Sequence, residues 1–311
     1  MPQPDVTVIV VSYNTRALTL ACLRTLHETT ETPFHAIVVD NASRDGSAEA
    51  IATAFPKVEL IALEGNIGFA AANNLAAERA QGGWLLLLNP DTECHAGAVD
   101  RLLAFSQAHP DAGITGGRTV FPDGSLNIAS CWQRNTLWST FCRASGLAAA
   151  FPRSDLLNPE AMGGWQRDSE REVDIVVGCF LMIRRSLWDR LGGFDRRYFM
   201  YGEEADLCLR ARALGYRPRI TPEAQIMHMI GAAADARVGK YVQSARARAT
   251  LMADHWPAWQ VPLGRALLWL WVGGRAAGFA FLSRIDARQR ARAALWSEMW
   301  SRRSEWLGGY G

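Results

Sequence analysis

Six cysteines in 311 residues, at 22, 94, 131, 142, 179 and 208, include no Cys-x-x-Cys pair and no metal-ligand spacing. They read as reduced, mostly buried thiols of a cytosolic protein, which argues against a cysteine metal site or a disulfide framework. A strong charge bias is also lacking. The formal net charge is +2 with a pI near 8.3, which argues against a dedicated nucleic-acid binder. There are no internal repeats or low-complexity segments, and no charged and apolar leader precedes the first β-branched run, so no signal peptide is expected. What is present is length enough for a full α/β core with an appendage. The modest net charge hides an asymmetry. From Trp256 to Gly311 eight Arg face three acids, for +5, and seven of the twelve Trp fall there. A basic, Trp-rich tail is a candidate for a membrane surface.

Val6–Val11 is a short β-branched run suited to a strand buried on both faces, and behind it Leu18, Cys22 and Leu26 recur at helical spacing. Ala36–Val39 predicts a second strand, then a turn and an Ala-rich helix near Ala48–Phe55 that Pro56 stops. Val58–Ala62, a helix over Ala70–Ala80 and Trp84–Leu88 continue the alternation. Such a pattern implies a mostly parallel sheet wound by right-handed crossovers. Beyond a helix near Ala98–His109 and a strand at Ala112–Gly116, residues 120–126 read as a hairpin turn. The stretch from about Ser130 to Arg171 has no sustained period and predicts loops and short helices forming a lid. Val173–Ile183 and Arg217–Thr221 predict further strands, and Leu207, Ala211 and Leu214 place an acidic run at the start of a helix.

Polar groups collect where the apolar runs end. Val11-Ser12-Tyr13-Asn14, Val39-Asp40-Asn41-Ala42-Ser43 and Asn89-Pro90-Asp91-Thr92 each follow or overlap a strand end. Gly65-Asn66-Ile67-Gly68-Phe69 is a glycine loop, and Phe199-Met200-Tyr201-Gly202-Glu203-Glu204-Ala205-Asp206-Leu207-Cys208-Leu209-Arg210 completes the series. Open α/β sheets bind ligands at the carboxyl ends of their parallel strands. In this order, over roughly Asp5 to Gly231, the motifs closely resemble the inverting GT-A glycosyltransferases of family two.

That resemblance implies a GT-A fold, Rossmann-like with a mostly parallel sheet and flanking helices, and a dTDP- or UDP-sugar donor. Asp40 would read the base by accepting a pyrimidine imide N–H, with Ser12 and Asn14 flanking base and ribose. The alternative for Asp40 is a side chain that organises its own turn. Asn66, Gly68 and Asn73 would approach the nucleotide. Asp91 matches the last acid of the family's Asp-x-Asp element, with Asn89 where the first acid often stands. Together with His228 it would hold Mg²⁺ or Mn²⁺, since hard cations take carboxylate and phosphate oxygens. An Asp91 that merely caps the following segment is the structural alternative. Glu204 corresponds to the family's catalytic base, while Glu203 and Gly178 stand near the acceptor or support the base. Asp206 and Arg210, spaced i, i+4, read as a helix-surface ion pair.

The expected organisation is a catalytic domain over 1–235 and a helical, basic extension over 236–311. Ala266–Ser283 is apolar or small except for Arg275, at the short end for a membrane crossing. Such a helix suits the membrane interface, anchored by Trp269 and Trp271, or it packs on protein. The family branch resembled most is rhamnosyltransferase-like, implying dTDP-rhamnose, a glycan or polyprenol-linked glycan acceptor, and a place at the cytoplasmic face of the cell membrane. Rival readings are a sugar nucleotidyltransferase and a noncatalytic membrane-bound scaffold. The former wants a Gly-rich, basic loop after the first strand, which Ser12-Tyr13-Asn14-Thr15-Arg16 does not supply.

Overall fold

A computed structural model describes residues 5–229 and 237–311. Its strands are β1 (Val6–Ser12), β2 (Phe34–Asp40), β3 (Glu59–Ala62), β4 (Trp84–Leu88), β5 (Thr92–Cys94), β6 (Ile114–Val120), β7 (Leu126–Asn127), β8 (Cys131–Trp132), β9 (Arg171–Glu172), β10 (Ile175–Val176), β11 (Phe180–Arg184) and β12 (Arg219–His228). The main sheet runs β3-β2-β1-β4-β11-β6-β12-β5, with β7 on β6 and β9 on β12. β1 pairs in parallel with β2 on one side and β4 on the other, so the strand order reverses there. A crevice opens at the carboxyl ends of strands around such a switch point.

Local sequence explains the elements. β1 is Val-Thr-Val-Ile-Val-Val-Ser, buried at every position, as expected of a strand covered on both faces. Val6, Val8 and Val10 pack with Leu23 and Leu26 of α1 (Arg16–Thr29), Ile51 of α2 (Ser47–Ala54) and Leu102 of α4 (Ala98–Ala108). Each such side chain contributes about 1.5–3 kcal/mol on full burial. The helix α3 (Phe69–Glu78) packs on β1 and β2, while α7 (Arg185–Leu191) and α8 (Glu203–Ala213) follow β11.

Two departures from the expected strands matter for the site. Val173–Ile183 is not one strand. β10 pairs with β8 in a small separate sheet, and the chain then turns through 177–179 before β11 enters the main sheet antiparallel to both β4 and β6. The strand expected over Arg217–Thr221 instead continues to His228, with a register shift between Thr221 and Gln225. His228 therefore ends a strand rather than following one. All six cysteines are free and buried, and burial pushes the Cys22 and Cys208 thiols up to about 12.

By its internal contacts the chain divides into two compact units. The first comprises Met1–Trp132, Trp165–Phe199 and Glu203–Ala233, and the second Gln133–Gly164, Met200–Gly202 and Ala234–Gly311. The boundary at 235 expected from sequence lies outside the described residues; by contacts, 133–164 belong to the helical unit. That unit contains α5 (Leu137–Ala144), α6 (Leu147–Ala150), α9 (Arg237–His255), α10 (Val261–Ile285), α11 (Arg290–Ser301) and α12 (Arg303–Trp306). Its own core joins Val242, Ala245 and Ala249 with Leu268, Val272, Trp296, Met299 and Trp306.

Candidate active site

Parallel register places Ser12 beside Asp40 and Asp40 beside Ala62, so the donor-side motifs share the carboxyl edge of the first unit's sheet. Asp40 is nearly enclosed. Its Oδ2 accepts from the Ser43 amide at 3.1 Å, whereas Oδ1 is buried without a hydrogen-bond partner. A turn-organising aspartate would explain the first oxygen and not the second. An acceptor left open in a buried place fits a ligand N–H.

The neighbouring residues split between ligand edge and framework. Ser12 is fully buried, and its hydroxyl bonds Thr15 and Thr19 at 3.0 and 2.9 Å, so it belongs to the framework and offers no surface to base or ribose. Asn14, at φ 53°, accepts from the Arg44 amide at 2.8 Å while its own amide donates to Ser43 Oγ at 2.8 Å. It shapes the loop after β2. In the glycine loop, Asn66 Oδ1 accepts from the Gly68 amide at 2.9 Å. Gly68 is required: at φ +87° an added Cβ would lie 2.6 Å from the Phe199 carbonyl oxygen. Asn73 turns its amide back onto the Phe69 carbonyl at 2.9 Å within α3, so that donor serves the helix.

Sequence reasoning missed two asparagines. Asn41, quoted there only as a turn residue, accepts from Ile67 N at 2.9 Å and donates to Gly68 O at 3.3 Å, fixing the glycine loop to the end of β2. Asn74 brackets Phe194, donating to its carbonyl at 2.8 Å and accepting from its amide at 2.9 Å. For Asn41 the adjacent Asp40 was a usable signal; for Asn74 there was none.

On the other side of β1, the turn after β4 carries Asn89 and Asp91. The Asn89 amide donates to Cys179 O at 3.1 Å, and the Met229 amide donates to Asp91 O at 3.0 Å. β12 and β5 pair His228 with Thr92, which brings His228 Nε2 to 3.3 Å from Asp91 Oδ1. The segment after Asp91 is a strand, so the helix-cap alternative is excluded. Burial opposes a charge on His228, but the Cys179 sulfur and the Asp91 carboxylate raise its pKa to about 10. Its Nδ1 is buried without a partner. The Asp91 carboxylate and the His228 ring, once it gives up its proton, would suit a divalent cation that takes its remaining ligands from phosphate and water, and binding would then release a proton. Among the described residues no group of three or more His, Cys, Asp or Glu gathers, so the donor set from protein is lean.

Gly178, in the turn before β11, faces α8. A Cβ there would lie 3.9 Å from Glu204 Cβ and 3.7 Å from the Phe69 ring, ordinary contact distances. The chain enters α8 through Tyr201 and Gly202 at φ 70° and 94°. Within the acidic pair, Glu203 is buried at 4% exposure while Glu204 is half-buried. Burial, and then the Glu204 carboxylate beside it, push the Glu203 carboxyl well above the usual range. The shift favours the neutral form of Glu203, and Glu204 is the less buried member of the pair. Asp206 is not on the helix surface. It is 3% exposed and pairs with Arg210 at 2.7 Å.

The sheet order, its switch point and this polar edge define a GT-A glycosyltransferase. The model of the family described as Glycosyl transferase family 2 matches residues 7–191, and the chain belongs to that family. It is 32% identical over 235 residues to an N-acetylglucosaminyl-diphospho-decaprenol L-rhamnosyltransferase of Mycobacterium tuberculosis, covering 71% of this chain and 75% of the relative. O-antigen biosynthesis protein RfbC of Myxococcus xanthus is 27% identical over 228 residues, covering 72% of this chain and 16% of that protein. Among solved structures, mannosyltransferase PcManGT of Pyrobaculum calidifontis, in complex with GDP-Man and Mn²⁺, aligns with a TM-score of 0.56 at 19% identity, covering 98% of this chain and 88% of that one. GalNAc-T7 with UDP, GalNAc and Mn²⁺ aligns at 0.58 with 13% identity, covering 83% and 49%. At these identities the two structures speak for the fold alone.

Proposed function

We propose that the protein transfers a sugar, rhamnose from dTDP-rhamnose being favoured, from a pyrimidine nucleotide sugar to a hydroxyl of a polyprenol-linked glycan, with inversion. The observation that carries this reading is the meeting of Asp40, the Asp91–His228 pair and the Glu203–Glu204 pair along one sheet edge. The activity for which the 32% identical relative is named supports a rhamnosyl donor and a lipid-linked acceptor.

Asp40 Oδ1 accepts the imide N–H of the base. Asp91 and His228 would hold Mg²⁺ or Mn²⁺, and such an ion would supply positive charge to the diphosphate and to the charge that grows on it as it leaves. Glu204 takes the acceptor hydroxyl's proton as that oxygen bonds to the anomeric carbon. The bond from this carbon to the diphosphate oxygen breaks on the opposite face, and its electron pair departs with the nucleoside diphosphate. A neutral Glu203 adds no second negative charge beside the attacking oxygen.

The protein is proposed to work at the cytoplasmic face of the cell membrane, held there peripherally. α10 is long and apolar enough, by length and composition, to cross a membrane, but one of its faces is taken by the second unit's core. Trp269, Leu270, Phe281, Leu282 and Ile285 lie exposed along it. Both expected anchors pack edge-on against another indole, Trp271 on Trp296 at 5.2 Å and Trp269 on Trp300 at 4.9 Å, but Trp269 stays 41% exposed and is the one left suited to lipid.

The test uses purified protein with a panel of UDP-, dTDP- and GDP-sugars and Mn²⁺, reading nucleoside diphosphate release and transfer. Glu204→Gln keeps size and hydrogen bonding, so donor binding should persist while turnover falls about 10²-fold or more. A folded, donor-binding Glu203→Gln that is dead beside an active Glu204→Gln would move the base one residue upstream.

A further inference from the structure

Charges held away from water come paired, so an excess of one sign in a packed region asks what balances it. The second unit holds such an excess. Glu160 Oε1 accepts from Ser139 Oγ at 2.8 Å and from Arg248 at 3.3 Å, and Oε2 accepts from Arg248 and Arg143, each at 2.7 Å. Four donors use up this carboxylate. Arg275 stands nearby, its guanidinium carbon 5.1 Å from the centroid of Trp271 and 5.1 Å from that of Trp296. Arg143 lies over the same Trp271 at 5.8 Å.

Arg143 and Arg248 therefore share one carboxylate, while Arg275, a third guanidinium beside them, stands between two indole rings with no carboxylate of its own among these contacts. Repulsion from Arg248, then burial, and further repulsion from Arg275 draw the Arg143 pKa down, against the pull of Glu160. Two N–H donors within the cluster, Arg143 Nε and Trp271 Nε1, are buried without partners. Cation–π stacking on the two indoles is worth about 0.5–2 kcal/mol per contact, yet it neutralises no charge and satisfies neither donor.

We propose that Arg143, Arg275 and Trp271 form a binding site for a phosphate or diphosphate group, with Arg248 and Glu160 fixing Arg143 from behind. Guanidinium groups match phosphate oxygens in bidentate geometry, and a diphosphate supplies both the missing negative charge and the missing acceptors. Arg143 and Arg275 remain part-exposed, so such a group has access. The indole walls and the exposed Trp269 and Leu270 on the same helix favour a phosphate carried on a hydrocarbon. If the proposed acceptor is correct, its diphosphate is the ligand; the site itself stands apart from that reading.

The test titrates inorganic pyrophosphate into full-length protein in EDTA, where metal-dependent binding at Asp91 and His228 is suppressed. Wild type and Asp91→Ala should both bind. Arg275→Gln should stay folded, lower in melting by no more than its two cation–π contacts, and lose at least ten-fold in affinity, with Arg275→Lys recovering part of it; Arg143→Gln is the second variant. Flotation with phosphatidylcholine vesicles, plain or carrying polyprenyl phosphate or phosphatidic acid, separates the sources. Flotation with polyprenyl phosphate alone assigns a lipid-linked sugar carrier, with both a general headgroup, and with neither a soluble phosphate. Wild type that binds no pyrophosphate in EDTA, or an Arg275→Gln that binds as wild type does, overturns the site. Donor hydrolysis unchanged in Arg275→Gln would leave the transferase reading intact in that event.

Discussion

Arg210 makes three contacts at once: Asp206 Oδ2 at 2.7 Å, the Leu191 carbonyl at 2.6 Å and the Gly193 carbonyl at 2.8 Å. Asn74 holds the next residue, Phe194, through both its amide and its carbonyl. The helix that bears the acidic pair and the helix behind the glycine loop thus grip one turn from two sides. Asp206→Asn should consequently cost about 1.5–3 kcal/mol, as for a lost charged hydrogen bond, and thermal melting will read it. A loss within about 0.5 kcal/mol would return the pair to the surface value expected from its spacing alone. That spacing made the ion pair legible in the sequence; its burial was not, because it depends on a turn about fifteen residues upstream. The positions of Asp40 at the end of β2, Asp91 in the turn between β4 and β5, and Glu204 in the first turn of α8 were legible because topology dictates where strands and helices end; the roles given to them are proposals. Ser12, Asn14 and Asn73 have the same polar chemistry, but local hydroxyls and backbone groups claim their side chains first.

At the scale of elements, α5, α9 and α10 meet around Glu160. Burial alone would raise the Glu160 pKa, but Arg248 and Arg143 bring it down to about 2 from an ordinary 4.5. A depressed carboxylate stabilises the fold above the unfolded value, and that contribution is lost as pH falls from about 4.5 through about 2. The melting temperature should drop across this window. Glu160→Gln should melt lower at neutral pH, by about 3–5 kcal/mol, with a flatter acid profile; equal acid profiles would show that Glu160 does not carry the dependence. The outer face of α10 behaves differently. Leu270 and Phe281 are exposed, so changing both to Glu should leave melting unaltered while reducing flotation with anionic vesicles. Flotation unchanged by the pair would remove α10 from membrane contact. The sequence displayed this helix and its tryptophans plainly. It could not show that Trp296 and Trp306 fill a core, since a basic amphipathic surface and a small helical core use the same residues.

Across the whole molecule, the strand alternation through residue 120 was readable because parallel strands buried on both faces are continuous apolar runs. The antiparallel entry of β11 was not, because a strand's direction leaves no mark in its composition. One consequence lies in time rather than space. Among the described residues β5 joins the sheet through β12 alone, which follows it by more than a hundred residues. During synthesis, Thr92–Cys94 must wait for Arg219–His228 to leave the ribosome before either has its partner. Until then Asp91 has no imidazole beside it, so a nascent chain holds the edge proposed to read the base long before it holds the pair proposed to take a cation. Hydrogen exchange on the finished protein should carry the same signature, with the amides that bridge the two strands, His95 on Gln225 O and Met229 on Asp91 O, opening together and not with β4, while the Cys94 amide, held by Thr25 Oγ1, follows α1. Protection of β5 that follows β4 instead would mean that the strand has a life of its own, and that the cation site is assembled early.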